Sequence, residues 1–520
     1  MKKIFNYGTD HLSTGIALEI ARGERKGVLD EPTKKRVLQS RAYVDEIVRS
    51  QQTVYGVNTG FGPLCDTRIS EADTRQLQYN ILQSHSVGVG KPIPEEIAKL
   101  MLITKVHALA QGYSGVAMAT LERIIWHIDH DVIAVVPEKG SVGASGDLAP
   151  LSHLFLPLIG LGEVWYKSKR VAASGVLKEF NLSPITLGPK EGLALINGTQ
   201  FMLAFAVKAV QRLHQALETA DLIGALSLEG LMGSARPFDP RLHELRPYPG
   251  CQLVAHRLSA LLKDSEILNS HLDCDRVQDP YSLRCMPQVH GASRQAWLHL
   301  KQTTEIELNA VTDNPIIFEA DDTISGGNFH GQPIAIPLDY ACIAAAELGN
   351  IADRRCYMMI EGRYGLPKLL IQDAGLNSGF MIPQYTAAAL VTENKTMCFP
   401  ASADSIPTSL GQEDHVSMGS ISGRKLHSVI DNLEYIQAIE LLYAVQALDF
   451  RRPLRSTPIL EACHAYVRER VPVTTTDRIF ANDINQLHQL ISEGHLLALA
   501  NTTAEKLGLT LNNNDSFSIY

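Results

Sequence analysis

Residues 140–153 read Gly-Ser-Val-Gly-Ala-Ser-Gly-Asp-Leu-Ala-Pro-Leu-Ser-His, and they hold the most informative pattern in the chain. At their centre, Ala144, Ser145 and Gly146 have small side chains, so the backbone can bend sharply on itself here. Attack of the Gly146 amide nitrogen on the Ala144 carbonyl carbon would close a five-membered ring, and loss of two waters would leave a methylidene-imidazolone. Because no ordinary side chain is a comparable electrophile, such a group would act as a cofactor made from the chain itself.

The same stretch also allows an ordinary interpretation as a turn. Glycine and serine favour turns, and Asp147 could cap a helix that begins near Leu148. For an isolated Ala-Ser-Gly tripeptide we would favour this interpretation, since turns prefer these residue types. The length of the pattern, together with other motifs in the chain, favours the reactive loop instead.

The composition is that of an ordinary globular protein. The chain has 520 residues, of which 45% are hydrophobic and 20% charged. A net charge of −9 argues against a nucleic acid or an anionic membrane as partner, and no apolar run reaches the length of a membrane span. The eight cysteines are scattered and form no Cys-x-x-Cys pair, so we expect reduced thiols in the cytoplasm and no metal site.

Several polar residues lie in loops or at helix ends, where binding groups are often found. Residues 53–62, Thr-Val-Tyr-Gly-Val-Asn-Thr-Gly-Phe-Gly, surround Tyr55 with glycines and could move as a lid. Tyr281 and Arg284 are spaced to share one face of a helix, and an arginine suits bidentate recognition of a carboxylate. Taken alone, each has an ordinary alternative: a turn for the loop and a surface position for the arginine.

Residues 412–414, Gln-Glu-Asp, place a carboxylate in another candidate site. The Glu413 carboxylate can accept a hydrogen bond from an imidazole N–H or pair with an imidazolium. Beside a phenyl ring it would be desolvated without a partner, which is costly. This residue therefore favours an imidazole-bearing ligand, with a solvated acidic pair of Glu413 and Asp414 as the alternative.

Together these motifs resemble the aromatic amino acid lyases, a family of histidine, phenylalanine and tyrosine ammonia-lyases and related aminomutases. The resemblance runs from about Thr53 to about Phe450. It implies a mainly α-helical fold built on a long-helix bundle of the fumarase/aspartase-like type. It also implies a 4-methylidene-imidazol-5-one formed from Ala144, Ser145 and Gly146, no external cofactor, and a homotetramer with composite active sites.

The resemblance also implies roles for individual residues. Tyr55 matches the catalytic base, and Tyr281 lies beside the cofactor. Arg284 holds the substrate carboxylate, Asn197 contacts the amino group or the cofactor, and His85 faces the substrate ring. The full set of implied substrate-binding residues is His85, Asn197, Gln278, Arg284, Asn328, Phe329, Gln412 and Glu413.

Within the family, the histidine lyases carry Gln-Glu-Asp where this chain has residues 412–414. The resemblance therefore implies conversion of L-histidine to trans-urocanate and ammonia, the first step of histidine breakdown. A tyrosine ammonia-lyase or aminomutase is the alternative within the family, and an inactive structural scaffold is the alternative of another class. The residues do not decide whether the substrate amine or the imidazole ring attacks the cofactor.

Long helical patterns begin after residue 200, and they predict a bundle. We expect an N-terminal domain, residues 1–200, that carries the Tyr55 loop and the cofactor loop, and a helical-bundle domain, residues 201–520. The polar C-terminal tail, residues 511–520, is expected to be poorly ordered. The long helices are predicted over 201–233, 292–311, 335–361 and 425–450.

Overall fold

The computed structural model describes residues 2–50, 53–60, 62, 69–273 and 275–519. Phe61 of the glycine-rich loop, together with Cys65 and Cys274, lies outside the described residues. Within the described ranges the chain is mainly α-helical with a few short strands, which confirms the predicted fold class.

Up to residue 199 the helices are short or of medium length. They are α1 (Thr14–Ala21), α2 (Glu31–Ser50), α3 (Glu71–Ser84), α4 (Glu95–Ala110), α5 (Met118–Asp129), α6 (Leu148–Phe155), α7 (Ala173–Glu179) and α8 (Glu191–Ile196).

After residue 199 the long helices of the bundle dominate. The helices are α9 (Gln200–Gly230), α10 (Pro240–Glu244), α11 (Pro249–Leu261), α12 (Glu266–Asn269), α13 (Tyr281–Arg284), α14 (Met286–Leu308), α15 (Gln332–Ile360), α16 (Met381–Met397), α17 (Gly419–Asp449), α18 (Pro458–Arg468), α19 (Phe480–Ser492) and α20 (His495–Lys506).

The strands form small sheets at the margins of the bundle. The strands are β1 (Lys3–Asn6), β2 (Arg25–Val28), β3 (Val89–Pro92), β4 (Ile133–Ala134), β5 (Pro137–Lys139), β6 (Glu163–Tyr166), β7 (Lys169–Ala172), β8 (Ile316–Ile317) and β9 (Thr323–Ile324). Strands β1 and β2 form a parallel pair. The other three sheets are antiparallel: β3 pairs with β5, β6 lies between β4 and β7, and β8 pairs with β9.

The helices α9, α15 and α17 form the centre of the bundle. Residues 436–448 of α17 are buried on every side, as expected for a helix in the interior of a large protein. A Cβ atom at Gly230 of α9 would lie 2.8 Å from the Ala447 Cβ of α17, so the missing side chain lets these helices approach closely. The predicted long helices are present, although α14 and α17 begin at Met286 and Gly419, earlier than the sequence pattern predicts.

Buried charges also join the bundle helices. The Asp221 carboxylate of α9 accepts hydrogen bonds from Arg257 Nε of α11 and from His290 Nδ1 of α14, both at 2.8 Å, and it also pairs with Arg294. The Asp221 charge is thus paired with two guanidinium groups in the interior, where an unpaired charge would be strongly destabilising. The network therefore fixes α9, α11 and α14 in register.

Residues 511–519 of the C-terminal tail are packed against the bundle, so the prediction of a poorly ordered tail is wrong for them. Phe517 is buried and stacks on Trp297, and its carbonyl oxygen is 2.9 Å from His214 Nε2. Buried apolar area at Leu511 and Phe517 compensates for the entropy that a polar tail loses on ordering. Composition alone did not reveal these two anchors.

Helix α15 is long and apolar enough to cross a membrane by length and composition, but 72% of its most apolar window is buried within the protein. Such burial is typical of a core helix. The division into domains near residue 200 stays a prediction, and one large hydrophobic cluster contains residues from both sides of it, among them Leu100 and Leu203.

Candidate active site

A cavity of about 840 Å³ brings together residues from distant parts of the sequence. Two of its walls come from the Tyr55 loop and from the end of α3 at His85. The residues 140–153 loop and the 408–415 segment form the others. Of the site residues that the sequence predicts, the cavity is lined by Tyr55, His85, Ala144, Ser145, Asn197, Phe329, Gln412 and Glu413.

The Ser145 carbonyl oxygen accepts two hydrogen bonds at the base of the cavity. Asn197 Nδ2 donates at 2.8 Å, and the Gly198 amide nitrogen donates at 3.3 Å. In return the Asp147 amide nitrogen donates to the Gly198 carbonyl oxygen at 2.7 Å. The turn after α8 therefore holds the loop along its backbone, and it places two donors where negative charge on this carbonyl would be stabilised.

Glycine is required where the loop and this turn meet. Gly146 has φ +75°, a left-handed conformation that glycine adopts without strain. A Cβ atom there would lie 2.0 Å from the Gly198 carbonyl oxygen, which is too close for any side chain. The pairing of Gly146 with Gly198 thus depends on the absence of a side chain at Gly146.

Asp147 does not cap the helix that follows it. Its carboxylate accepts hydrogen bonds from Ser141 Oγ and from the Met202 amide nitrogen, both at 3.0 Å, so it caps the N-terminal turn of α9 instead. Burial raises the pKa of Asp147 to about 7, while these hydrogen bonds oppose the rise. The residue connects the loop of residues 140–153 to the start of the central helix, and it was not predicted from the sequence as more than a local cap.

The Glu413 carboxylate points at Ser145. Ser145 Oγ donates a hydrogen bond to Glu413 Oε1 at 2.7 Å. Thr408 Oγ1 and Ser409 Oγ donate to Glu413 Oε2 at 2.8 and 2.7 Å. Two hydroxyl groups thus orient one oxygen of the carboxylate and direct the other into the cavity.

Tyr55 and His85 bring a phenol and an imidazole to the same cavity. The Gly62 amide nitrogen donates to Tyr55 Oη at 3.3 Å, and such a donor stabilises a phenolate. His85 Nδ1 is 3.0 Å from Ser84 Oγ. Burial lowers the pKa of His85 even though the neighbouring Glu413 carboxylate opposes this, so burial favours the neutral imidazole.

A buried lysine lies behind the loop. Lys105 of α4 is 1% exposed, and its Nζ donates to the Asn197 carbonyl oxygen at 2.6 Å. Burial lowers the pKa of Lys105 to about 7, the Asp313 carboxylate opposing and the Lys190 ammonium adding to the effect. Sequence analysis missed this residue, although a lysine inside the apolar stretch 97–110 is a signal that could have found it.

The carboxylate-binding candidate Arg284 lies in a different cavity, of about 550 Å³, which Gln278 also lines. Arg284 Nε donates to the Asp279 carbonyl oxygen at 2.9 Å. The Asp279 carboxylate accepts hydrogen bonds from the Ser234 amide nitrogen at 2.6 Å and pairs with Arg276 at 3.0 Å. Among the described residues, Arg284 hydrogen-bonds through Nε alone, so its two terminal nitrogens can donate to a planar anion.

Two further predicted residues lie outside the first cavity. Tyr281 is 71% exposed and packs under the Arg284 guanidinium, whose Cζ is 4.6 Å from the centre of the tyrosine ring. Asn328 is exposed and donates to the Val311 carbonyl oxygen at 3.2 Å, one residue before the cavity-lining Phe329. Within one chain, then, the predicted residues fall into two groups, with Gln278, Tyr281 and Arg284 apart from the rest.

Comparison with known proteins identifies the class of this chain. The sequence model of the aromatic amino acid lyases matches residues 12–469, and the chain belongs to this family. A protein of Natranaerobius thermophilus named histidine ammonia-lyase is 46% identical over 482 residues, which are 92% of this chain and 95% of that protein.

Solved structures agree with this assignment. The crystal structure of histidine ammonia-lyase from Trypanosoma cruzi has a TM-score of 0.89 and 40% identity, and the match covers 100% of this chain and 97% of that one. The tyrosine aminomutase of Streptomyces globisporus has a TM-score of 0.91 and 34% identity, over 97% of this chain and 99% of that one. The predicted family and fold are confirmed.

Proposed function

We propose that this chain is an ammonia-lyase that converts L-histidine to trans-urocanate and ammonia. The observation that carries the proposal is the Glu413 carboxylate, which is directed into the cavity beside Ser145. Relatives named histidine ammonia-lyase, which match almost the whole chain, support the same substrate and reaction class.

The loop fits a cofactor formed from Ala144, Ser145 and Gly146. The sharp bend at Gly146 favours attack of its nitrogen on the Ala144 carbonyl carbon, and the Ser145 carbonyl is already held by two donors. Asn197 Oδ1 is buried without a hydrogen-bond partner among the described residues, so this amide has an acceptor available beside the loop. A methylidene-imidazolone formed there would supply the electrophile that the reaction needs, since ammonia leaves poorly from carbon.

Residues of the chain bind the substrate and remove its proton in this proposal. Arg284 binds the substrate carboxylate through its outer guanidinium edge, and Glu413 binds the imidazole through Oε1. Tyr55 Oη removes the β-proton, and the Gly62 amide stabilises the phenolate that this requires. Leu193 and Phe329 give the cavity of Tyr55 and Glu413 an apolar lining, and a lower local dielectric strengthens the interactions of these two groups.

The active site is composite in this proposal, and the protein is a homotetramer. The position of Arg284 in a different cavity from Tyr55 supports this, because one chain then does not supply both groups to one substrate. Helix α15 also exposes Ile336, Tyr340 and Ile343 on one face. Such an apolar stripe on a bundle helix is typical of a subunit interface.

We place the enzyme in the cytoplasm. The cysteines that the structure describes are all unpaired, as is usual in a reducing compartment. The close structural match to a tyrosine aminomutase keeps a tyrosine-directed activity as the second candidate. Glu413 argues against it, because an imidazole can also pair with this carboxylate as a cation, whereas a phenol cannot.

A spectrophotometric assay of the purified protein against L-histidine, L-tyrosine and L-phenylalanine tests the proposal. We expect turnover of L-histidine, and intact mass spectrometry should show a loss of two waters per chain. Ser145→Ala should abolish both turnover and mass loss while the helical content by circular dichroism stays the same. An unmodified mass in the wild-type protein, or turnover of L-tyrosine alone, would contradict the proposal.

A further inference from the structure

Lys105 is a buried lysine that the proposed mechanism does not use. It lies within α4, whose residues 97–110 are buried along their whole length. An ammonium in such a place costs free energy, and an apolar residue would fill the space more cheaply. The contacts of this side chain should therefore reveal what it contributes.

Among the described residues, Lys105 Nζ hydrogen-bonds to two acceptors and neither is a carboxylate. The nearer is the Asn197 carbonyl oxygen at 2.6 Å, and the other is Gln200 Oε1 at 3.4 Å. The nearby Asp313 carboxylate is bound at 2.7 Å by another buried lysine, Lys190. In its protonated form Lys105 thus directs its charge at the Asn197 carbonyl, and no carboxylate among the described residues pairs with it directly.

The Asn197 carbonyl belongs to the same peptide unit as the Gly198 amide. That amide donates to the Ser145 carbonyl oxygen at 3.3 Å. A cation on the oxygen of a peptide polarises the whole unit, and the N–H at its other end becomes a stronger donor. The structure therefore contains a continuous path from Lys105 Nζ through one peptide to the Ser145 carbonyl.

We propose that Lys105 is a positioning residue that acts through the Asn197–Gly198 peptide to withdraw electron density from the Ser145 carbonyl. In doing so it raises the reactivity of the loop electrophile toward nucleophiles. The inference rests on the proposed function, since the electrophile formed from Ser145 is itself part of that proposal. It concerns the electronic state of the loop and not the binding of substrate.

Cyanide is a suitable probe because it needs no substrate-binding residue. Its carbon would bond to the methylidene carbon, the π electron pair would move toward the Ser145 carbonyl oxygen, and a proton from solvent would complete the adduct. The rate of adduct formation, followed by intact mass, therefore measures the reactivity of the loop. The two waters lost during maturation are counted in the same spectra.

The variants are Lys105→Met, which removes the donor and the charge, and Lys105→Gln, which keeps an uncharged donor. Lys99→Met is the matched control, because Lys99 lies on the same helix and pairs with Asp131, away from the loop. We expect full loss of two waters in all three variants. Cyanide addition should slow by about tenfold in Lys105→Met, which corresponds to roughly 1.4 kcal/mol, by less in Lys105→Gln, and not at all in the control.

The possible results separate this inference from the proposed function. If wild-type protein keeps both waters, the proposed function fails and this inference fails with it. If wild-type protein is dehydrated and Lys105→Met adds cyanide at the wild-type rate, the inference alone is overturned. A folded Lys105→Met chain that keeps its waters, or misfolding of both Lys105 variants, also overturns it, because Lys105 would then serve maturation or stability.

Discussion

Ser145 Oγ and Glu413 Oε1 are 2.7 Å apart, although the two residues are 268 positions apart in the sequence. This hydrogen bond joins the centre of the loop to the residue that the sequence assigns to imidazole recognition. If the serine hydroxyl leaves as water, Glu413 Oε1 loses this partner while Thr408 and Ser409 still hold Oε2. The carboxylate then has an oriented acceptor for an imidazole N–H beside the electrophile.

Replacement of Glu413 should reduce turnover of L-histidine. A hydrogen bond to a charged group contributes about 1.5–3 kcal/mol, so its loss from the transition state should lower kcat/KM by roughly ten- to two-hundredfold in Glu413→Ala. Glu413→Gln retains an acceptor oxygen and should be milder. The measurement is kcat/KM for L-histidine and L-tyrosine in wild type and both variants.

Both Glu413 variants should still lose two waters, because Asn197 and Gly198, and not Glu413, hold the backbone of the loop. Asp404→Asn removes an exposed carboxylate from a neighbouring segment and should behave as wild type. A Glu413→Ala enzyme that keeps its preference for L-histidine would show that this carboxylate is not the selector, and His85 would be the next candidate.

Mixed subunits should recover activity that neither parent has. Tyr55→Phe and Arg284→Ala each inactivate one of the two groups of residues that the structure separates within a chain. If a site takes Tyr55 from one subunit and Arg284 from another, some sites in a mixed assembly contain both native residues. Activity after exchange of the two inactive proteins measures this, and mixing each variant with itself is the control. Persistent inactivity despite demonstrated exchange would indicate a site built from a single chain.

Asp279 should matter for substrate binding through Arg284. Its carboxylate is anchored by the Ser234 amide and Arg276, and its carbonyl oxygen holds Arg284 Nε. Asp279→Ala should raise KM for L-histidine by about tenfold with a smaller effect on kcat, because carboxylate binding is shared by ground state and transition state. Asp279→Asn keeps an acceptor for the Ser234 amide and should be milder.

The control for Asp279 is Asp273→Asn, which changes an exposed carboxylate on the same segment. Steady-state kinetics with L-histidine give KM and kcat for each protein. If Asp279→Ala instead lowered kcat by about tenfold and left KM unchanged, this result would contradict a role of Asp279 in positioning the carboxylate-binding arginine.

Glu229 should make the stability of the fold decrease as pH rises. Burial raises the pKa of this carboxyl from 4.5 to about 7, and the nearby Glu461 adds to the effect while hydrogen bonds from Ser265 and Ser456 oppose it. The folded state therefore binds an extra proton between these values, so its stability falls as pH rises through that window. Glu229→Gln removes this titration. The free energy of unfolding of the variant, minus that of the wild type, should therefore be larger at pH 8 than at pH 5, by on the order of 2–3 kcal/mol.

Urea unfolding at the two pH values measures this difference, and subtraction of the wild-type curve cancels the other titrating groups. Glu505→Gln, which alters an exposed carboxyl, should show no such change. A stability difference between Glu229→Gln and wild type that is the same at both pH values would show that this carboxyl does not titrate in the window.

The sequence by itself determined the family and the helical class, and it indicated a loop of small residues at 140–153. These features are local: small residues at 144–146 permit a tight bend, and long apolar periodicities such as 201–233 specify helices whatever surrounds them. The motif around Glu413 likewise indicated an imidazole ligand from the chemistry of one side chain.

Only the tertiary structure decided how these pieces meet. In the folded chain Glu413 accepts a hydrogen bond from Ser145, Asp147 caps the start of α9, and Lys105 donates to the Asn197 carbonyl. Arg284 lies in a different cavity from Tyr55. The three contacts join residues far apart in the chain, and none of them leaves a periodic or compositional signal. They follow from the packing of the bundle. The apolar contacts of its core fix the relative positions of the helices, and these positions decide which distant polar groups come within hydrogen-bond distance.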